Sequence, residues 1–311
     1  MHGDGTADPC VPGLIAPAPG KAVLCAAMAR PTQTDTSPAG LRAAADADIV
    51  ATRLYNGDFP LEPHEEVDVA WAVPAEPSEM RSVVAWADFE FGLVERRLDE
   101  LLEALAPWRT VLWWLAPHHG PADLEERLAR RGFAQVDDIA AMGIGLDQLP
   151  RQVDIPAGVR IELVDDPDDV EVYVGLLLRE TASHHPMRPD AGAARRRHLL
   201  ARLGNDPDSR RYVAWLDGRP VATSRLSMAG GAAGLYTVVT MPEARGRGIG
   251  TATTLTALLA GREAGMRIGV LQATDMGIGI YRRLGFQELF RYALLARPAG
   301  GVNDRTKESD Q

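Results

Sequence analysis

Lysine is nearly missing from this chain. Of 33 basic residues, only Lys21 and Lys307 are lysine, and the rest are arginine. Alanine is abundant as well, a bias that points to a GC-rich genome and carries no chemistry by itself. Cysteine is equally scarce. Cys10 and Cys25 both lie near the start, so neither a disulfide framework nor a cysteine-based zinc site follows. Positive charge is not in excess: the formal net charge is −10 and the pI is about 5.2. Nucleic-acid phosphates need a basic face, so nucleic acid is not an expected partner. An acidic surface tolerates cationic acceptors, and it also serves solubility alone. No apolar run reaches the roughly 18–20 residues of a membrane helix, so no membrane association is expected. Lys21 to Ala29 is a short apolar patch without a basic segment before it, which argues against a signal peptide. A cytoplasmic protein is the expectation.

What is present is concentrated in Val238-Val239-Thr240-Met241-Pro242-Glu243-Ala244-Arg245-Gly246-Arg247-Gly248-Ile249-Gly250-Thr251. A β-branched run stops at a proline, a glycine-punctuated basic turn follows, and helical spacing begins. Gly246, Gly248 and Gly250 lack Cβ atoms and let their amides approach a ligand. The free N–H groups of the first helical turn point into the same space, where the helix dipole favours an anion. Such a loop suits a pyrophosphate. No Lys-Ser/Thr pair follows the last glycine, so it is not a Walker A loop. Position 251 is Thr, so the dinucleotide fingerprint Gly-x-Gly-x-x-Gly is incomplete.

The spacing Arg245-x-x-Gly248-x-Gly250 after the strand end resembles the acetyl-CoA loop of the GCN5-related N-acetyltransferases (GNATs). A second segment strengthens the resemblance. Leu271 to Phe286 reads as strand, short helix and Gly-Phe stop, and Tyr281, Gly285 and Phe286 fill the family's Tyr-x-x-x-Gly-Phe pattern. The two motifs stand in the family's order and separation. The resemblance implies a mixed α/β sheet of GNAT type over residues 159–298.

The rest of the chain is organised around that domain. Residues 1–40 are rich in Pro, Gly, Ala, Thr and Asp and predict a disordered tail, as do residues 299–311. Leu41 to Tyr55 predicts a helix. Ser78 to Ala106 predicts a second, capped by Ser78 and carrying a leucine stripe. Thr110 to Ala116 predicts a strand, Pro121 to Phe133 a helix ending in Gly-Phe, and Ala134 to Leu146 a closing strand. Strand, short helix, Gly-Phe and strand therefore occur at 110–146 and again at 268–295. Aligning Gly132-Phe133 on Gly285-Phe286 sets Leu128 opposite Tyr281, and nothing before residue 150 matches the Arg245–Gly250 loop. Residues 41–149 read as a degenerate GNAT-like copy, giving a tandem architecture, with an unrelated accessory α/β domain as the alternative. Residues 150–158 read as the linker. Val159 to Val164 opens the second half, helices are expected over Pro167 to Thr181 and Asp190 to Leu203, and Asp217-Gly218 marks a hairpin turn.

The resemblance implies acetyl-CoA as co-substrate. It places Val238, Val239 and Thr240 beside the pantetheine and thioester, and Arg245, Gly246, Arg247, Gly248, Ile249, Gly250 and Thr251 at the pyrophosphate. Tyr281 would protonate the leaving thiolate, a task for which a phenol is suited. Many members carry asparagine where Thr274 and Asp275 stand. Thr274 could take over a pantetheine hydrogen bond, whereas Asp275 could not donate one. For the general base, His184 in the segment Glu180–Asp190 and Glu243 beside the loop are the candidates; adjacent histidines in a polar loop are also simply solvent-exposed. His118-His119 has no third ligand at useful spacing in sequence, so no metal is expected.

The function these residues imply is acetyl-CoA-dependent N-acetylation of a primary amine, with a small-molecule acceptor preferred. A mycothiol-synthase-like tandem enzyme is the alternative within the class. A non-catalytic acyl-CoA sensor or interaction protein is the alternative outside it. A homodimer is left open.

Overall fold

A computed structural model of the chain describes residues 31–75, 81–108, 110–184, 189–203 and 206–298. Of the expected tails at 1–40 and 299–311, residues 1–30 and 299–311 lie outside the described residues, as does the proposed cap Ser78. Residues 31–40 are described: the Gln33 N–H donates to the Gly231 carbonyl at 2.7 Å, and 38–40 are already helical because Ser37 and Pro38 start a helix there. The first helix, α1 (Pro38–Leu54), starts earlier than its periodicity suggests. Ser37 caps it by accepting the Gly40 N–H at 3.2 Å, and Pro38 takes the first helical position, where its missing donor is harmless. Then come β1 (Leu61–Glu65), β2 (Val69–Pro74), β3 (Ser82–Ala87), α2 (Val94–Ala104), β4 (Thr110–Leu115), α3 (Leu124–Arg130) and β5 (Ala134–Gly145).

The long helix expected over Ser78 to Ala106 is not formed. Ser82-Val83-Val84-Ala85-Trp86-Ala87 is a strand, and the helix begins only at Val94. The leucine stripe that suggested one helix belongs to α2 alone. The β-branched and aromatic run before it is held in the sheet between β2 and β4, where nearly all its side chains are buried.

The second half follows its predicted order: β6 (Val159–Leu163), α4 (Pro167–His184), α5 (Pro189–Arg202), β7 (Ser209–Leu216), β8 (Arg219–Ser227), β9 (Ala233–Thr240), α6 (Ile249–Glu263), β10 (Ile268–Ala273), α7 (Asp275–Arg283) and β11 (Gln287–Pro298). Asp217 and Gly218 both take positive φ, which closes the β7–β8 hairpin with the twist its strands need.

All the strands join one mixed sheet in the order β1-β2-β3-β4-β11-β5-β10-β9-β8-β7-β6. The two halves share a pattern. An antiparallel meander leads through a helix to a parallel strand, β3 to β4 through α2 and β9 to β10 through α6. A short helix and a last strand follow in each. Those last strands are exchanged: β11 pairs with β4, β5 pairs with β10, and β5 and β11 pair with each other along the middle. The linker after β5 therefore separates the chain into halves without separating the sheet.

Alternation along the strands assigns the layers. Gly234 faces Asp48 of α1, while its neighbours Ala233 and Leu235 face α6. Helices α1, α4 and α5 cover one face, and α2, α3, α6 and α7 cover the other. A buried ion cluster ties α1 to the second half. The Asp58 carboxylate meets Arg195 at 2.6 Å, Arg211 at 3.1 Å and Arg225 at 3.7 Å. Burial pushes the Asp58 carboxyl up, but the fields of Arg225, Arg195 and Arg211 outweigh that and hold it well below the usual carboxylate range.

Removing one partner from such a cluster leaves buried charge uncompensated. Asp58→Asn is expected to lower unfolding stability by about 3–5 kcal/mol, read by urea titration near neutral pH. Because the folded-state pKa is depressed, this contribution is present above the unfolded value of about 3.9 and is lost as pH falls below it. The loss of stability below about pH 4 should accordingly be shallower in Asp58→Asn than in the native chain.

Candidate active site

The site begins where two parallel strands stop pairing. β9 and β10 are in register at Ala233–Gly269, Gly234–Val270 and Leu235–Leu271, and no further. Beyond that point Tyr236 to Thr240 on one strand and Gln272 to Ala273 on the other diverge. A cleft of about 710 Å³ fills the opening. The backbone of β9 has no strand partner on the cleft side past Leu235, so its polar groups there are available to a ligand.

β9 is also bent at this place. Thr237 holds a positive φ of 47°, an uncommon conformation for a β-branched residue, and the β8–β9 register slips between Thr223 and Arg225. Two hydrogen bonds hold the bend. The Thr237 hydroxyl lies 2.6 Å from the Tyr173 hydroxyl of α4, and the Thr223 hydroxyl donates to the Thr237 carbonyl at 2.8 Å.

At the mouth stands the glycine loop. Gly246 and Gly248 take φ of 75° and 76°, and Gly248 is the residue from which α6 starts. A Cβ on Gly250 would sit 3.0 Å from the Thr240 hydroxyl, so that position too is small for a reason. The Arg245 Nε donates to the Thr240 carbonyl at 3.0 Å, pinning the loop to the end of β9. Val238, Val239, Thr240, Arg245, Gly246, Gly248, Ile249, Gly250 and Thr251 line the cleft as the sequence suggested. Arg247 is exposed and is not among the lining residues.

Tyr281 closes the other wall. It is buried against Phe286, and burial pushes its hydroxyl up to about 12, so the phenol keeps its proton across the neutral range. Thr274 caps α7 without spending its side chain on the cap, and it faces the cleft. Asp275 is turned outward to Arg291 at 2.6 Å, so of the two residues at the position where the resemblance implies asparagine, Thr274 is the one beside the cleft.

Of the two base candidates, only Glu243 has a described side chain, and it does not line the cleft. Glu243 is exposed and pairs with Arg179 at 3.1 Å outside the cleft. His184 is the last residue of α4, and its side chain lies outside the described residues, as does all of His185.

Several lining residues were not anticipated. Gln272 presents both amide atoms buried and without a hydrogen-bond partner, and the Thr254 hydroxyl is likewise unpartnered. A single glutamine in the apolar run Ile268-Gly269-Val270-Leu271-Gln272-Ala273 was the available signal for the first. Arg53, Trp114 and Ile139 reach the cleft from the first half of the chain, and no local pattern marks them. The histidine pair also finds a neighbour from far away. His118 Nε2 lies 2.7 Å from Asp46 of α1, and His119 accepts the Ala116 N–H at 3.2 Å. Burial pushes the His119 imidazole down to about 4.

Among the described residues, the first half shows no counterpart of the glycine loop or of Tyr281. Its connection from β3 to α2 reads Asp88-Phe89-Glu90-Phe91-Gly92-Leu93, acidic where the other is basic. Leu128, opposite Tyr281 in the repeat, is fully buried in a core with Leu98 and Trp113. Among the described residues no helix is long and apolar enough to cross a membrane.

Comparison with known proteins agrees with this geometry. Residues 177–286 match the family model described as "Acetyltransferase (GNAT) family", which spans the segment from α4 through the cleft to Phe286. None of the curated proteins matches the chain. A GCN5-related N-acetyltransferase from Kribbella flavida superposes with a TM-score of 0.59 at 22% identity, covering 84% of this chain and 96% of that one. One from Sphaerobacter thermophilus gives 0.56 at 17% identity over 88% and 98%. A tandem GNAT protein from the clavulanic acid biosynthesis pathway gives 0.56 at 19% identity over 88% and 98%. The chain thus carries a GNAT-family domain in its second half. Its fold, across both halves, is similar to that of the tandem GNAT protein from that pathway.

Gly248 is the position where loop conformation and ligand approach coincide. In Gly248→Val, a β-branched side chain forced to φ near 76° is expected to cost about 1–2 kcal/mol. Urea titration of the variant beside the native chain checks this.

Proposed function

We propose that this chain is an acetyl-CoA-dependent N-acetyltransferase acting on a primary amine of a small molecule, by direct attack of the amine on the thioester. The observation that carries the reading is the opening of β9 from β10, with a glycine loop at its mouth and a buried tyrosine on its wall. The loop amides and the start of α6 would take the pyrophosphate. The unpaired edge of β9 from Val238 to Thr240, with Thr274, Gln272 and Thr254, would take the pantetheine amides, which would satisfy the orphaned Gln272 amide and Thr254 hydroxyl.

The chemistry then needs the carbonyl polarised, a neutral amine and a protonated leaving group. A strand N–H directed into the opening serves the first. Tyr281 serves the last: its proton passes to the CoA sulfur as the carbon–sulfur bond breaks and the amide forms. No carboxylate or imidazole occurs among the described residues that line the cleft. The amine proton therefore leaves to His184, at the end of α4, or to solvent water. A pH profile of kcat/KM that keeps its acid limb in His184→Ala assigns that step to water.

The first half is proposed to be a copy of the same fold that has lost its phosphate loop and its tyrosine. Its acidic β3–α2 connection and Leu128 support this, and its role is to complete the cleft. The reading is of a cytoplasmic enzyme needing no metal.

Calorimetric titration should give one acetyl-CoA site per chain, and two sites would overturn the account of the first half. Thiol release dependent on an added amine should follow in the same sample. Binding without release across a broad amine panel would favour an acyl-CoA sensor. Tyr281→Phe is expected to lower kcat by at least about 100-fold with acetyl-CoA affinity nearly unchanged. Full turnover in that variant would end the proposed acid role.

A further inference from the structure

Among the described residues, Arg53 has no carboxylate in salt-bridge contact, although the field of Asp48 reaches it. Arg53 stands near the end of α1 and lines the cleft at the inner end, where β9 and β10 part. Its guanidinium carbon lies 4.4 Å from the centroid of Trp114 and 5.9 Å from that of Tyr236. The Nε atom is buried with no hydrogen-bond partner, and among the described residues no carboxylate is in salt-bridge contact with Arg53. Burial lowers its hold on the proton, the direction expected of a guanidinium that no anion touches. The residue as a whole is half-buried, so the unmet group is its buried Nε, and an arginine does not escape that cost by losing its proton.

The surroundings sharpen the point. The carboxylates nearest to Arg53 on α1 are engaged elsewhere. Asp48 accepts the Tyr236 hydroxyl through Oδ2 and favours the Arg53 cation by its field without touching it, and Asp46 takes His118 and the Tyr292 hydroxyl. Behind Tyr236 the balance is positive. Among the described residues, Arg195, Arg202, Arg211 and Arg225 pair with Asp58 and Asp206, and Arg225 lies 4.8 Å from the Tyr236 ring centroid.

The cofactor is not the missing anion. Its pyrophosphate belongs at the glycine loop beyond Thr240, roughly 13 Å along β9 from Tyr236 at about 3.3 Å per strand residue. Arg53 lies on the α1 face of the sheet, opposite the face covered by α6 and α7. With Trp114 across one face of the guanidinium, its edge remains to meet a planar two-oxygen group. One fork beside Trp114, Ile139 and Leu235 matches a carboxylate on an apolar body better than a phosphate, which calls for more donors.

We propose that Arg53 binds the carboxylate of the acceptor, so that the substrate is an amino carboxylate and the first half of the chain supplies its specificity. This rests on the transferase reading above for the word acceptor; the carboxylate site itself stands on the geometry.

The test separates the two. The full chain, saturated with CoA, is titrated calorimetrically with glycine, phenylalanine, lysine and 5-aminopentanoate, each beside its carboxamide. At least one carboxylate should bind about 10- to 100-fold more tightly than its carboxamide. Arg53→Gln should abolish that preference, and Arg53→Lys should restore part of it. Acetyl-CoA affinity in the same samples should match the native chain, which shows that both variants are folded. Equal binding of carboxylates and carboxamides, no carboxylate binding at all, or a preference that survives in Arg53→Gln would each overturn the proposal. Thiol release is then measured with the same amines. Release that ignores the carboxylate sinks this inference and leaves the transferase standing. An Arg53-dependent preference in binding without release leaves the site standing and sinks the transferase.

Discussion

The pairing of β5 with β11 along the middle of the sheet is the constraint on which the rest of this structure depends. Each is the last strand of its own half, and each adds to the other half's sheet. β11 lies against β4 and β5 lies against β10. Without that exchange, the edge of β10 would be an open row of unpaired donors and acceptors, a hazard that closed pairing removes. With it, Trp114 on β4 and Ile139 on β5 are carried to the rim of a cleft formed by β9 and β10. The two halves therefore share one sheet and one cleft, and the glycine loop lies in the second.

That arrangement divides the labour. The second half holds the groups that any acyl-CoA chemistry needs: the unpaired strand edge, the glycine loop at the start of α6, and the buried Tyr281. The first half keeps the skeleton of the same pattern without those parts and instead presents α1. Because α1 lies on the face away from α6, what it adds to the cleft is added at the end remote from the glycine loop. The buried arginine cluster around Asp58 fixes α1 to β7, β8 and α5. A residue such as Arg53, five positions before Asp58, is thus held in place by charge as well as by packing.

Strain is placed where the ligand would be. Thr237 holds its positive φ because Tyr173 and Thr223 fasten it on both sides. The bend turns the end of β9 away from β10 and exposes backbone that a regular ladder would have consumed. Gln272 and Thr254 carry the same message in side chains, as polar groups buried with no protein partner to meet them.

The amino-acid sequence by itself determined the second half and most of its site. The glycines near residue 248, the Pro242 stop and the Tyr281-to-Phe286 pattern act within a few residues of one another, so local chemistry writes them directly into the chain. The same holds for the β7–β8 turn and for the repeated strand–helix–Gly-Phe unit. The helix expected from Ser78 went astray because a buried strand, β3, and the following helix are both apolar, and only the partners β2 and β4 tell them apart. The exchange of last strands, the turning of Asp275 toward Arg291, and the meeting of Arg53, Trp114 and Ile139 with β9 were decided by tertiary structure alone. Those groups stand far apart along the chain, from Arg53 to Tyr236, and no local period records a contact that exists only once the sheet has closed.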